Sequence, residues 1–154
     1  MDRHTAETLV RRAMDQAAIA AARGDAPFGA VLATPNGSIL VEAANAQHTT
    51  LDPTAHAEIA LVRVAARDLG REGLDGLVVA SNAESCSMCA SALVKARVAT
   101  IVFGAPHEPH MDPAIGLAEL VARSTHRVEL IGPVLGEACA AQIAAGRLTA
   151  PPPD

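Results

Sequence analysis

Apolar residues at the start of the chain recur with a helical period. Val10, Met14, Ala17 and Ala21 fall along one face, while Arg11, Arg12 and Asp15 lie elsewhere on the wheel. The spacing predicts a helix over 5–23, ended by Gly24. Two apolar runs follow, 28–34 and 39–43, joined by Pro35-Asn36-Gly37-Ser38. Asn-Gly between such runs predicts a β-hairpin. Asp52 as N-cap and Pro53 at the first helical position predict a second helix that runs to 68–69 and stops at Gly70. Beyond it the pattern alternates: a strand over 77–81, a helix over 86–95 and a strand over 100–103. A loop over 104–111, a helix near 114–123, a short strand over 128–131 and a helix over 137–145 complete the reading.

This alternation predicts an α/β fold, a sheet covered by helices on both faces with an antiparallel hairpin at its start. No repeat or low-complexity linker divides the chain. The expectation is a single domain over 1–150 and a loose proline-rich tail over 151–154.

Composition narrows the classes. A chain of 154 residues can bury one real core, and with half its residues apolar and 19% charged it is globular rather than disordered. The longest apolar stretches, 17–22 and 77–80, are far too short to span a bilayer, and the N-terminus does not read as a signal peptide. A cytoplasmic protein with no membrane partner is expected. The formal net charge is -5, Lys95 is the one lysine, and no basic run occurs beyond Arg11-Arg12. Phe28 and Phe103 are the only aromatic residues. A chain that grips a polyanion or stacks single-stranded bases normally shows more of both features. A nucleic-acid partner is therefore not expected, and a small molecule is.

The candidate chemistry lies in His56-Ala57-Glu58 and Cys86-Ser87-Met88-Cys89. Three cysteines cannot all pair, and in a reducing compartment Cys-x-x-Cys points to metal or redox chemistry. His56 with Cys86 and Cys89 makes a three-ligand zinc site whose fourth tetrahedral position is open to water. Zinc brings the pKa of such a water towards roughly 7. Cys86 and Cys89, three apart, can face one point from the first turn of a helix. His56 and Glu58, two apart, would diverge mid-helix and converge only near a helix end, where the Pro53 signal places them. Two helix N-termini would then direct their positive ends at the metal. A structural zinc clip needs no carboxylate beside its histidine. A hydrolytic site does, and Glu58 is the residue expected to move the proton between water, ring nitrogen and leaving amine. The competing readings are a structural zinc clip and a redox pair, and the second leaves His56-Ala57-Glu58 unexplained.

His-x-Glu followed by Cys-x-x-Cys resembles the signature of the cytidine deaminase-like superfamily of zinc deaminases. The longer stretch Asp52-Pro53-Thr54-Ala55-His56-Ala57-Glu58 looks like the branch that holds guanine deaminases and bacterial tRNA adenosine deaminases. Pro27-Phe28-Gly29-Ala30-Val31 resembles that branch's first strand, and Asn45, eleven residues before His56, matches its base-contacting asparagine. The resemblance covers roughly 5–105 well and the last third loosely. It implies a three-layer α-β-α sandwich around a mixed five-stranded sheet, a zinc ion, a homodimer, and deamination of a nucleobase-like amine. It also implies substrate contacts from Asn45 and from backbone near Ala57, Glu84 and Ser85. The family's proline before the first cysteine is Ser85 here, which restores a backbone N–H and can cap the following helix. The basic and aromatic C-terminal features of the two branches are missing.

Other residues carry two readings each. Asn45 is a base contact or a turn residue ending the second strand. Phe28 lines a pocket or fills the core, while Phe103 belongs to the core. His107, His110 and Asp112 follow a strand and read first as solvated loop residues; among them Asp112 is the candidate to accept from a ring N–H. Glu84 faces substrate or is a helix-start charge, Glu137 is a favourable charge at a helix start, and Cys139 is a small buried residue. The expected function is zinc-dependent deamination of a free base: guanine, or a related aminopurine or amino-triazine. Its rivals are a tRNA adenosine deaminase, a cytosine or cytidine deaminase, and a non-catalytic zinc module.

Overall fold

The computed structural model describes residues 1–106 and 113–149, with side chains to 147 in the last helix. The elements run α1 (Arg3–Ala22), β1 (Gly29–Ala33), β2 (Ile39–Ala44), α2 (Gln47–Thr50), α3 (Ala57–Leu69), β3 (Val78–Ala83), α4 (Ser87–Lys95), β4 (Thr100–Ala105), α5 (Leu117–Ala122), β5 (Glu129–Ile131) and α6 (Gly136–Thr149). Every predicted strand and helix has a counterpart within a few residues. His107, His110, Asp112 and the tail 151–154 lie outside the described residues.

The five strands form one sheet in the order β2-β1-β3-β4-β5. β1 pairs antiparallel with both β2 and β3, whereas β3, β4 and β5 run parallel. The hairpin is the one that Asn36-Gly37 predicted, with Gly37 at φ +88°. Successive residues of a strand point to opposite faces, and here both faces are covered. Ala30, Leu32, Val79 and Ile101 enter a core with Leu61 of α3, Leu93 of α4 and Leu117 of α5. Val31, Ala33, Val78, Ala80 and Val102 enter a second core with Leu9 and Val10 of α1 and Ile143 of α6. The result is a three-layer sandwich, each fully buried Leu, Val or Ile contributing about 1.5–3 kcal/mol. α1 lies so close to β1 that a Cβ on Gly29 would collide with the backbone of Ala13 and Ala17.

One predicted boundary is corrected. Asp52 and Pro53 do not begin the second long helix. The Asp52 carboxylate accepts from Thr54 N at 2.8 Å and Thr54 Oγ1 at 2.7 Å, closing a turn. Ala55 N and His56 N donate back to Asp52 O and Thr54 O. These local bonds keep 52–55 out of helix, and α3 starts at Ala57 with His56 as its N-cap. The short α2, unforeseen in the sequence, is held by the buried carboxylate of Asp25, which accepts from His48 N, Thr49 N and Thr49 Oγ1.

Candidate active site

Each site residue is delivered by an element end. β1 starts, and β3 and β4 finish, at the same edge of the sheet, because β1 is antiparallel to β3. Binding crevices in open α/β sheets lie outside such strand ends. α3 and α4 begin there too. His56 is the N-cap of α3 and Cys86 the N-cap of α4, with extended backbone at ψ 154° and ψ 168°. Cys89 sits one turn into α4 and is fully buried. The helix-terminus geometry inferred from the His56–Glu58 spacing is therefore present, although four residues later than the Pro53 signal placed it.

The three ligand-type residues meet. His56 Nδ1 lies 3.6 Å from Cys86 Sγ and 3.4 Å from Cys89 Sγ, and the three ligand atoms all fall within 4.8 Å of one another. Zinc bonds of about 2.3 Å to sulfur and 2.0–2.1 Å to nitrogen, at tetrahedral angles, place N and S about 3.5 Å apart. The donor set and its spacing fit a zinc ion. Cys86 is acidified to about 4, chiefly by the hydrogen bond from the Cys89 thiol and further by His56. Cys89 is pushed up by that same partnership and by burial, and His56 is pushed up by its bond to Cys86. Without a cation the first thiolate forms readily and the second is costly. A divalent ion held by the three residues would favour both, as would the positive ends of α3 and α4.

Glu58 is buried one residue inside α3. Burial raises its carboxyl above the usual range, opposed by backbone bonding and by Ser85 Oγ, which donates to Glu58 Oε1 at 2.9 Å. A carboxyl positioned in this way can serve as a general base and then as a general acid. His56, Glu58 and Cys86 line a cavity of about 350 Å³ together with Phe28, Glu84, Asn82 and the inner face of α6. That volume suits a small heterocycle.

The other candidate residues divide. Phe28 and Glu84 line the cavity. Glu84 Oε1 also accepts from Leu117 N at 3.3 Å, so its carboxylate sits at the start of α5. Asn45, Ala57 and Ser85 are buried and are not among the described residues lining the cavity. Asn45 exchanges hydrogen bonds with Gln47 at 2.8 and 3.0 Å. Cys139 is fully buried, and Phe103 packs half-buried against the core. Sequence reasoning missed Asn82, a buried amide that follows Ser81 near the end of β3. Its Oδ1 accepts from Gly29 N at 3.0 Å, and its Nδ2 donates to Pro27 O at 3.0 Å and Gln142 Oε1 at 3.3 Å. The polar pair Ser81-Asn82 directly after the apolar run Val78-Val79-Ala80 was the available signal. It also missed α6 as a wall, contributing Ala140, Ile143, Ala144 and Arg147 at the i, i+3, i+4, i+7 spacing of one helix face.

Residues 3–105 match the family described as the cytidine and deoxycytidylate deaminase zinc-binding region. The chain belongs to this family of zinc-dependent deaminases, hydrolases acting on carbon–nitrogen bonds. It is 34% identical over 145 residues to a tRNA-specific adenosine deaminase of Bacillus subtilis, covering 90% of this chain and 86% of that one. A guanine deaminase of the same organism is 37% identical over 102 residues, 66% of this chain and 65% of its own length. A solved structure from work on A-to-I editing by tRNA:A34 deaminases superposes with a TM-score of 0.75 at 32% identity, covering 86% of this chain and 96% of that one. Among the described residues no helix is long and apolar enough to cross a membrane.

Proposed function

We propose that this chain hydrolytically deaminates a free nucleobase-like heterocycle, with guanine or a related aminopurine or amino-triazine as substrate. The observation that carries the reading is the gathering of His56, Cys86 and Cys89 into one ligand set, with the buried carboxyl of Glu58 in the same cavity. A zinc ion held by the three would supply Lewis acidity and an acidified water. Glu58 would take one proton from the attacking water and deliver it to the ring nitrogen, and would then pass the water's second proton to the departing amine. One carbon–oxygen bond forms, one carbon–nitrogen bond breaks and ammonia leaves, with no change of oxidation state. Ser85 holds the carboxylate in place. Phe28 supplies an apolar wall to a flat ring.

The free-base reading is supported by the net charge of -5, the single lysine and the two aromatic residues, which leave little to grip an RNA loop. A second reading, deamination of adenosine in tRNA, is favoured by the 34% identity that spans 86% of the Bacillus subtilis tRNA-specific enzyme. Ammonia release is measured from guanine, cytosine, adenine and amino-triazines, alongside inosine formation in tRNA anticodon stem-loops. Turnover of a free base supports the first reading. Inosine formation with no free-base turnover, steeply weakened by salt, replaces it with the second.

A further inference from the structure

The cavity has two walls that come from opposite layers of the sandwich. His56, Glu58 and Cys86 stand on the side of α3 and α4, and Ala140, Ile143, Ala144 and Arg147 stand on α6; Ser81, Asn82, Ala83 and Ala105, at the ends of β3 and β4, lie between them. A flat ring lying across the strand ends thus has one edge at the ligand trio and another at α6.

Arg147 is the one Lys or Arg among the described lining residues. Its Cζ lies 5.8 Å from the centroid of the Phe28 ring, within cation–π range. Two features seat the helix there. Gly146 lets the last turn settle on Pro27: a Cβ at that position would lie 2.5 Å from Pro27 Cβ and 2.9 Å from Pro27 Cγ. One turn earlier, Gln142 accepts from Asn82 Nδ2 and donates to Met14 O at 2.7 Å, tying α6 to both β3 and α1. A guanidinium carries five N–H donors in a planar array, of which the edge of a purine needs two.

We propose that Arg147 is a specificity residue that reads the O6 and N7 acceptors of a 2-amino-6-oxopurine whose C2 amine lies at the His56–Cys86–Cys89 trio. This rests on the deaminase reading above and names its substrate class. An arginine fork matches the adjacent O6 and N7 of guanine, whereas adenine presents a donor in place of O6. In guanine the reacting C2 amine and the N7 edge lie at opposite ends of the ring system, as the two walls require. In adenine the reacting amine is itself at C6, so the acceptor pair is lost.

The test compares guanine with 2-aminopurine, which keeps the C2 amine and N7 but lacks O6. Binding is measured on zinc-loaded Glu58→Gln protein with and without Arg147→Met, following 2-aminopurine fluorescence directly and guanine by displacement. Zinc content and thermal midpoint are recorded for each variant. The expected result is guanine binding about tenfold or more tighter than 2-aminopurine, with Arg147→Met reducing that ratio to within about twofold. Arg147→Lys is expected to restore little of it, because a point charge lacks the fork. Loss of affinity for both ligands in equal proportion would mean that Arg147 only supports the wall, and the proposal falls. Binding of neither purine also overturns it, as does full rescue by lysine. Ammonia release by the unmutated enzyme separates the two readings. A ratio that depends on Arg147 without ammonia release retains this proposal and removes the free-base reaction; ammonia release with a ratio indifferent to Arg147 does the reverse.

Discussion

Ser85 Oγ donates a 2.9 Å hydrogen bond to Glu58 Oε1, joining the residue before the N-cap of α4 to the first turn of α3. Both partners are buried, so this bond is made in a poorly screened setting where a donor to a carboxylate counts most. It occupies the position where the resembling family carries proline, which has no hydroxyl. Ser85→Ala removes a group that lowers the Glu58 pKa, so the carboxyl keeps its proton to higher pH. The acid limb of the kcat/KM profile, where Glu58 must be ionised to accept a proton, is expected to move to higher pH, with kcat/KM on that limb falling. Ser85→Pro should move the limb in the same direction. An unmoved limb in both variants would show that the bond does not tune Glu58.

Glu58→Gln keeps the size of the side chain and an acceptor for Ser85 but cannot carry a proton. Turnover is expected to fall by about 10²–10⁴-fold while zinc content and thermal midpoint stay near those of the unmutated protein. Metal analysis and ammonia assays on one preparation check this. Activity within a few-fold of the original would remove Glu58 from the mechanism.

Cys86→Ala is expected to lose both stoichiometric zinc and activity, since two remaining ligands hold the ion far more weakly. Chelator treatment of the unmutated protein gives a complementary readout. With Cys86 acidified to about 4 in the metal-free site, iodoacetamide should alkylate it rapidly at pH 6, where an ordinary thiol is only about 0.3% thiolate. Added zinc should suppress that reaction. Peptide mapping that finds Cys139 modified before Cys86 would contradict the assignment.

Asn82→Leu removes the acceptor for Gly29 N and donors to Pro27 O and Gln142 Oε1, all at the base of the cavity. Two buried backbone groups lose their partner, which costs about 2–4 kcal/mol. Urea unfolding should show the loss as a lower midpoint with little change in m-value. A variant as stable as the original would mean that water or a shifted side chain replaces the amide.

Asp25→Ala should destabilise by about 2–3 kcal/mol, because a buried carboxylate that accepts from His48 N, Thr49 N and Thr49 Oγ1 holds α2 in place. α2 begins the segment that leads into His56. Faster amide exchange over 46–56 in the variant would place the effect there, and exchange unchanged in that segment would refute it.

The sequence by itself determined the chemistry and the alternation of elements. Residue types for a ligand set are written in short motifs, His56-Ala57-Glu58 and Cys86-x-x-Cys89, and helical or strand periods are local properties of the chain. Folding moved the start of α3 from Pro53 to Ala57, because a turn closed by Asp52 competes with the helix. The tertiary structure alone decided the far wall of the cavity. Gln142 reaches Met14 across 128 positions, Asn82 reaches Gly29 across 53, and Arg147 meets Phe28 where Gly146 packs on Pro27. No periodicity encodes contacts at such separations: they follow from which strand lies beside which and how closely two backbones approach.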